Sequence, residues 1–212
     1  MVQNNSSPVD PGPRQKARGR PKAYDRPTAL KSMRDLFWEQ GYAGTSLDDM
    51  SAATAMNRPS LYNAFGDKAS AFKAVLDDYV DDVRQMYVAA FAPDVPVRDG
   101  LTRVYETAIR IYNREDGIGR GCFMISAALI DSIRDRDIAA KVLEALHEMD
   151  RAFRWRLKVA QQAGELSPNA DIDALGMVAS AAHNAVAVRM RAGEDPALIR
   201  RFVAQTVGLI CG

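Results

Sequence analysis

An all-α fold is predicted, with an N-terminal three-helix unit of the helix-turn-helix type followed by a C-terminal helical bundle. Three observations carry this prediction. Between residues 45 and 68, two short amphipathic segments flank a tight turn. After Gly66, apolar residues recur at three-to-four spacing almost to the last residue, the period of helices that face a core. No period-2 run is long enough to build a sheet.

Residues 1–26 read as a polar, Pro-rich, flexible basic arm, 27–70 as the helix-turn-helix unit and 71–212 as the bundle. An opening helix ends in the string LFWEQGYAGTSL. Thr45 and Ser46 then offer hydroxyl N-caps, and Leu47, Met50 and Ala53 fall on one face of a short helix. A turn comes next at Ala55 and Met56. Asn57 is a second N-cap, and Pro59 sits in a first turn, where its missing N–H costs nothing. The second helix carries Ser60, Leu61, Tyr62, Asn63 and Phe65, and Gly66-Asp67 closes it and caps the next. Arg58, Ser60, Tyr62 and Asn63 can donate to phosphates or base edges while Leu61 and Phe65 hold the helix to its scaffold. An ordinary surface helix has the same pattern.

A fourth helix starts after the Asp67 cap, with Phe72, Val75, Leu76, Tyr79, Val80, Val83, Tyr87 and Phe91 as its stripe and Pro93 and Pro96 as its end. The fifth spans about 97–114, with Leu101, Val104, Tyr105, Ala108, Ile109 and Tyr112 on its apolar side. Residues 115–121 form a Gly-rich loop whose GIGRG string has no strand before it and no GK[ST] ending, so a phosphate cradle is rejected. The sixth helix, about 122–134, is apolar on more than one side and reads as buried, either lining a cavity or as plain core. The seventh covers about 136–163 and stops at Gly164; Asp171 and Asp173 open an eighth that runs to Gly193. The ninth starts after Pro196 and presents Leu198, Phe202, Val203, Thr206, Leu209 and Ile210. Small residues crowd the eighth helix, so a partner can approach it closely.

The 212 residues are 47% hydrophobic, ample for a core. No apolar run reaches membrane-spanning length and the N-terminus carries no hydrophobic signal segment, so a soluble cytoplasmic protein without a membrane partner is expected. Cys122 and Cys211 are too few for a disulfide framework and fit a reducing compartment. His147 and His183 fall in different helices with no ligand-spaced partner, so no metal, cofactor or catalytic constellation is expected.

Net charge is +1, but the charge is unevenly spread. Six basic residues stand against two acidic ones in residues 1–26, whereas residues 27–68 hold four against five. Salt-sensitive affinity for a polyanion should therefore come from the arm. There, Arg18-Gly19-Arg20-Pro21-Lys22 resembles an AT-hook core: Gly19 and Pro21 keep the backbone thin and extended, and Arg18 and Arg20 suit a narrow A·T-rich minor groove. A solvated basic tail that touches phosphates without preference is the alternative.

From Ala29 to about Tyr79 the chain resembles the DNA-binding domain of the TetR family of one-component repressors. The F-x-x-x-G-Y-x-x-T-S/T, S-L-Y-x-x-F and G-x-K elements occur in order at family spacing, the last two within DDMSAATAMNRPSLYNAFGDKASAF. The chain departs from the family's frequent choices at Ala55, often Gly; at Pro59, often small; and at Ala64, often His. The first two bear on the turn and the entry to the recognition helix, and the third removes a phosphate donor.

The resemblance implies a transcriptional regulator, usually a repressor released by a small-molecule effector, that binds a palindromic operator in double-stranded DNA as a homodimer. It places Arg58, Pro59, Ser60 and Asn63 where base-edge readers sit, with Arg58 suited to guanine and Asn63 to adenine. Tyr62, Thr45 and Lys68 match phosphate-contacting positions, next to the N–H groups that open the fourth helix. For Tyr62 the alternative is a buried packing role. The last two helices are implied to pair with their copies as a four-helix bundle.

The resemblance also implies an effector pocket among the fourth to eighth helices. Tyr105 and Tyr112 are candidates to line it from the fifth, Phe123 and Met124 from the sixth, His147 and Phe153 from the seventh, and Met177, His183 and Asn184 from the eighth; for each apolar member, core packing is the more common explanation. Cys122 belongs with them as either a thiol activated beside Arg120 at a helix start, able to sense oxidants or electrophiles, or a small buried core residue. A sequence-tolerant architectural protein led by the basic arm is the competing functional class.

Overall fold

The computed structural model describes residues 24–113, 119–131, 133 and 135–212. Most of the arm, with Arg18 and Arg20, and residues 114–118, which include the first part of the Gly-rich loop, lie outside the described residues. Among the described residues the chain is helical, apart from a single bridge between Asn113 and Gly119. No helix in them is long and apolar enough to cross a membrane.

The head consists of α1 (Arg26–Gly44), α2 (Leu47–Thr54) and α3 (Arg58–Phe65). Asp25 caps α1 by accepting from the Thr28 N–H, and α1 bends at Gly41, whose φ of 71° suits glycine. Ser46 and Asp49 close a reciprocal capping box over α2, an arrangement that contributes about 1 kcal/mol. Thr45, expected as a cap of α2, instead terminates α1: it is buried, and its hydroxyl donates to the Gly41 carbonyl at 2.8 Å. Of the three residues expected on the inner face of α2, Met50 alone is buried, because an eight-residue helix touches the core through one turn.

The turn between α2 and α3 is built on Ala55, whose φ of 53° places an L-alanine in the left-handed region. That conformation costs about 1–2 kcal/mol at a residue with a Cβ. Buried Met56 and the Ser51 hydroxyl, which donates to the Met56 carbonyl, hold the turn closed. Asn57 caps α3 by accepting from the Ser60 N–H at 2.9 Å. Leu61 and Phe65 are buried beneath α3 and contribute about 1.5–3 kcal/mol each. Arg26 grips the end of the same helix, donating to the Ala64 carbonyl and lying 4.8 Å from the Phe65 ring centre.

The body contains α4 (Lys68–Ala90), α5 (Val97–Tyr112), a π-helical turn (Met124–Ala128) running into α6 (Leu129–Asp131), α7 (Arg136–Gln162), α8 (Ile172–Arg191) and α9 (Pro196–Cys211). α4 joins head to body by packing on α1, α5 and α7, and α8 lies against α5, α7 and α9. The sixth segment differs from the expected buried α-helix. Its widened turn sends Phe123, Met124, Ala127 and Ala128 inward, after which Leu129, Ile130 and Ile133 are exposed. The glycines before it serve close packing: a Cβ at Gly119 would overlap the Met190 carbonyl of α8.

One buried ion pair braces the far end of the body. The Arg156 side chain is fully buried, and Nη2 donates to the Val95 carbonyl at 2.5 Å and to Glu165 Oε1 at 3.2 Å. Glu165 also accepts from the Val97 N–H, so one carboxylate ties the start of α5 to α7.

Candidate functional site

The outer face of α3 is set by its cap. With Asn57 fixing the phase and Leu61 and Phe65 turned inward, Arg58, Pro59, Ser60, Tyr62 and Asn63 all lie on the side away from the core. Tyr62 is 66% exposed, which removes the packing alternative for its ring. The Arg58 guanidinium is clamped by Asp48 of α2, Nε to Oδ1 at 2.8 Å and Nη2 to Oδ2 at 2.5 Å. This bidentate geometry is the one a guanidinium also uses on a guanine edge, so Asp48 occupies the donors that base reading requires.

The residues expected at phosphates divide differently. Lys68 is half-buried, donating to the Thr45 carbonyl at 2.6 Å with its ammonium 4.3 Å from the Tyr42 ring centre, and it pins the corner between α1 and α4. Thr45 presents no hydroxyl to the outside because Gly41 holds it. The start of α4 is already occupied by an anion: the Asp67 carboxylate accepts from the Ser70 N–H at 2.8 Å, and its hydrogen bonds to Ser70 keep it below the usual carboxylate range.

Inside the body, α4, α5, the π-helical turn, α7 and α8 surround a cavity of about 160 Å³. Of the candidate residues, Tyr112, Cys122, Met124, His183 and Asn184 are on its wall. Tyr105, Phe123 and Phe153 are buried behind the wall in the core, and the Tyr105 hydroxyl is spent on the Ala179 carbonyl at 2.9 Å. His147 and Met177 are corrections to the expected lining: neither reaches the cavity, and Met177 is exposed on the outer side of α8. Much of the lining comes instead from Tyr79, Val83 and Tyr87 of α4, from Phe91 at its C-terminal cap, and from Met149 and Trp155 of α7. The three-to-four spacing of Tyr79, Val83, Tyr87 and Phe91 signalled an inward face, but spacing alone does not separate a cavity wall from solid core, and Trp155 carried no such signal.

The cavity is apolar with a few placed polar atoms. His183 is buried among the rings of Tyr87, Tyr105, Tyr112 and Phe153, and desolvation lowers its pKa to about 4, so it is neutral at pH 7. Its Nε2 and the Tyr87 hydroxyl have no hydrogen-bond partner among the described residues. Burial raises the Tyr79, Tyr87 and Tyr112 phenols well above their ordinary range. At the mouth, Arg84 of α4 bonds both oxygens of Glu148 of α7, at 3.0 and 2.8 Å, beside a half-exposed Trp155.

Cys122 is buried on this wall, 3.1 Å from the Tyr79 hydroxyl. The Arg120 guanidinium expected to activate it is directed elsewhere: it lies 3.9 Å from the Trp38 ring centre and donates to Asp35 Oδ1 at 2.9 Å. Trp38 in turn donates from Nε1 to the Arg120 carbonyl at 3.2 Å, and Phe123 packs edge-on against the Trp38 ring. The cavity wall and the head thus share one short piece of chain.

Two family models match the chain. One described as "Bacterial regulatory proteins, tetR family" matches residues 30–75, and one described as "Tetracyclin repressor-like, C-terminal domain" matches residues 98–206. The HTH-type transcriptional repressor ComR of Escherichia coli (strain K12) is 32% identical over 196 residues, 92% of each chain. The HTH-type transcriptional repressor BdcR of the same strain is 31% identical over 127 residues, 60% of this chain and 64% of that one. Among solved structures, a cysteine mutant of the TetR family transcriptional regulator CifR complexed with 26 bp double-strand operator DNA is 25% identical, with a TM-score of 0.76 over 91% of this chain and 98% of that one.

Proposed function

Because the chain belongs to the TetR family of bacterial regulatory proteins, we propose that it is a DNA-binding transcriptional regulator, a dimeric repressor released by a small molecule. The observation that carries this reading is the outer edge of α3: an anchored second helix of a helix-turn-helix whose outward residues are base- and phosphate-bonding types. In this division the arm covers 1–26, the DNA-binding head 27–70 and the ligand-binding and dimerisation part 71–212, with α4 crossing from head to body. The protein works in the cytoplasm, where its DNA is.

Arg58 and Asn63 read guanine and adenine edges, Pro59 and Ser60 meet the neighbouring bases and Tyr62 bonds a phosphate. Lys68 acts one step back, by fixing the corner on which the head turns. Arg18 and Arg20 enter the adjacent minor groove and supply much of the salt-sensitive affinity. Support for a dimer comes from α8 and α9. Met177 and Val188 on α8, and Leu198 and Leu209 on α9, lie about three turns apart on one face of each helix, and all four are exposed in the single chain. Pairing with a second copy removes both stripes from water and sets two α3 helices about 34 Å apart, for successive major grooves.

Release runs through the shared segment. An effector that displaces the wall at Cys122 and Met124 moves Arg120, whose contacts to Trp38 and Asp35 hold α1, provided the effector binds the two head spacings with different affinity. Selection from a random double-stranded DNA pool tests the reading. Enriched sequences should share an inverted repeat with half-sites about one helical turn apart. Enrichment of A·T content without a repeat would favour the architectural class and overturn the proposal.

A further inference from the structure

The cavity carries information about what it accepts. Its walls are mainly rings and aliphatic chains, and its charged lining residues, Arg84 and Glu148, neutralise each other at the mouth. Against this apolar lining stand two buried polar atoms without partners among the described residues, Tyr87 Oη and His183 Nε2, on rings 6.0 Å apart. Burying either unpaired is costly, and a guest oxygen between them would satisfy both. The cavity's size, about 160 Å³, is close to the roughly 150 Å³ that accommodates one benzene ring in a protein interior.

Resting on the ligand-released reading above, we propose that this cavity takes an uncharged one-ring organic molecule whose hydroxyl or carbonyl oxygen bonds Tyr87 Oη and His183 Nε2. A carbonyl accepts from both groups; a hydroxyl accepts from one and donates to the other. Charge of either sign is rejected. An anion meets Arg84 already held by Glu148, and His183 is neutral at pH 7 because desolvation opposes its protonation. A cation meets no unpaired carboxylate among the described lining residues. Trp155, half-exposed at the mouth, reports occupancy through its fluorescence.

The full-length protein is titrated at neutral pH with phenol, toluene, benzoate and benzylamine, monitoring tryptophan fluorescence and melting temperature. Phenol and toluene should bind saturably and raise the melting temperature. Benzoate and protonated benzylamine should bind at least about tenfold more weakly than phenol. Tyr87→Phe should weaken phenol about 2- to 12-fold, the worth of one neutral hydrogen bond, and leave toluene within about twofold. Because it removes a buried unpaired hydroxyl and keeps the ring, the same variant should melt no lower than the parent. His183→Leu should weaken phenol relative to toluene in the same sense.

Absence of phenol binding, benzoate or benzylamine binding as tightly as phenol, or equal losses of phenol and toluene in Tyr87→Phe would each overturn the assignment. Release of promoter DNA is scored separately. Phenol that binds and leaves the DNA complex intact upholds the assignment while contradicting ligand release. Release by an anion with no phenol binding upholds ligand release and overturns the assignment.

Discussion

Arg58 cannot serve Asp48 and a guanine at once, and this competition has a measurable size. Two bonds at 2.8 and 2.5 Å hold the guanidinium, but both side chains are largely in water, 60% and 72% exposed. An exposed ion pair typically shifts an equilibrium by about 1.5- to 5-fold. Asp48→Asn should therefore tighten operator binding by about 1.5- to 5-fold at fixed salt. Arg58→Ala should weaken it by about 5- to 150-fold and relax preference at one base position of each half-site. The diagnostic quantity is the coupling between them. With Arg58 absent, Asp48→Asn should yield only the salt-dependent gain of a lost negative charge, smaller than its gain in the parent. Fluorescence anisotropy titrations of the four proteins on one selected operator, and on the same operator with the guanine replaced, complete the cycle. If Asp48→Asn weakens binding, Asp48 orients Arg58 instead of competing for it. If its gain is the same with and without Arg58, the pair has no part in recognition.

Three further outcomes concern stability. Ala55→Gly should stabilise the head by about 0.5–1 kcal/mol, the left-handed strain relieved less the unfolded-state entropy gained, read by urea unfolding, with operator affinity unchanged. His183 is protonated more readily unfolded than folded, so its contribution is fully present above pH 6.5 and is lost as pH falls toward about 4. About 2 kcal/mol should disappear between pH 7 and pH 5, a loss that His183→Gln flattens; the phenols that surround it do not titrate in that window. Glu165→Ala strands the fully buried Arg156 and should cost about 2–4 kcal/mol, a buried-pair figure reduced for the partial exposure of Glu165. Arg156→Met should cost less, since Arg156 Nε and Nη1 have no partners among the described residues to lose.

How much of this the sequence discloses depends on the kind of constraint. The head is legible because its punctuation is chemical: Ser46, Asn57 and Asp67 each accept from a backbone N–H at a helix start, and a cap fixes the phase of the helix it opens. Once Asn57 sets the phase, the outer edge of α3 is determined. The Arg58–Asp48 clamp is not legible, since it joins two helices across a turn whose shape depends on an alanine in an unusual conformation. In the body, periodicity identifies inward faces but covers a broad arc of each helix. Tyr87 and Phe153 share that description, yet one lines the cavity and the other fills core. His147 sits two residues before Met149 on α7 and stays off the wall that Met149 lines. The sixth segment misleads for another reason: a π-helical turn changes the period, so residues apolar on two sides become four buried groups and then three exposed ones.

Sequence-specific recognition by a dimer is decided by footprinting and titrating the purified protein on the DNA flanking its own gene, at two salt concentrations, against random DNA of equal length. A short two-fold protected site is predicted, bound about a thousandfold or more tighter than random DNA, with the preference persisting at the higher salt. Diffuse protection, equal affinity for both DNAs and a steep salt dependence would contradict the claim, leaving the basic arm as the sole source of binding.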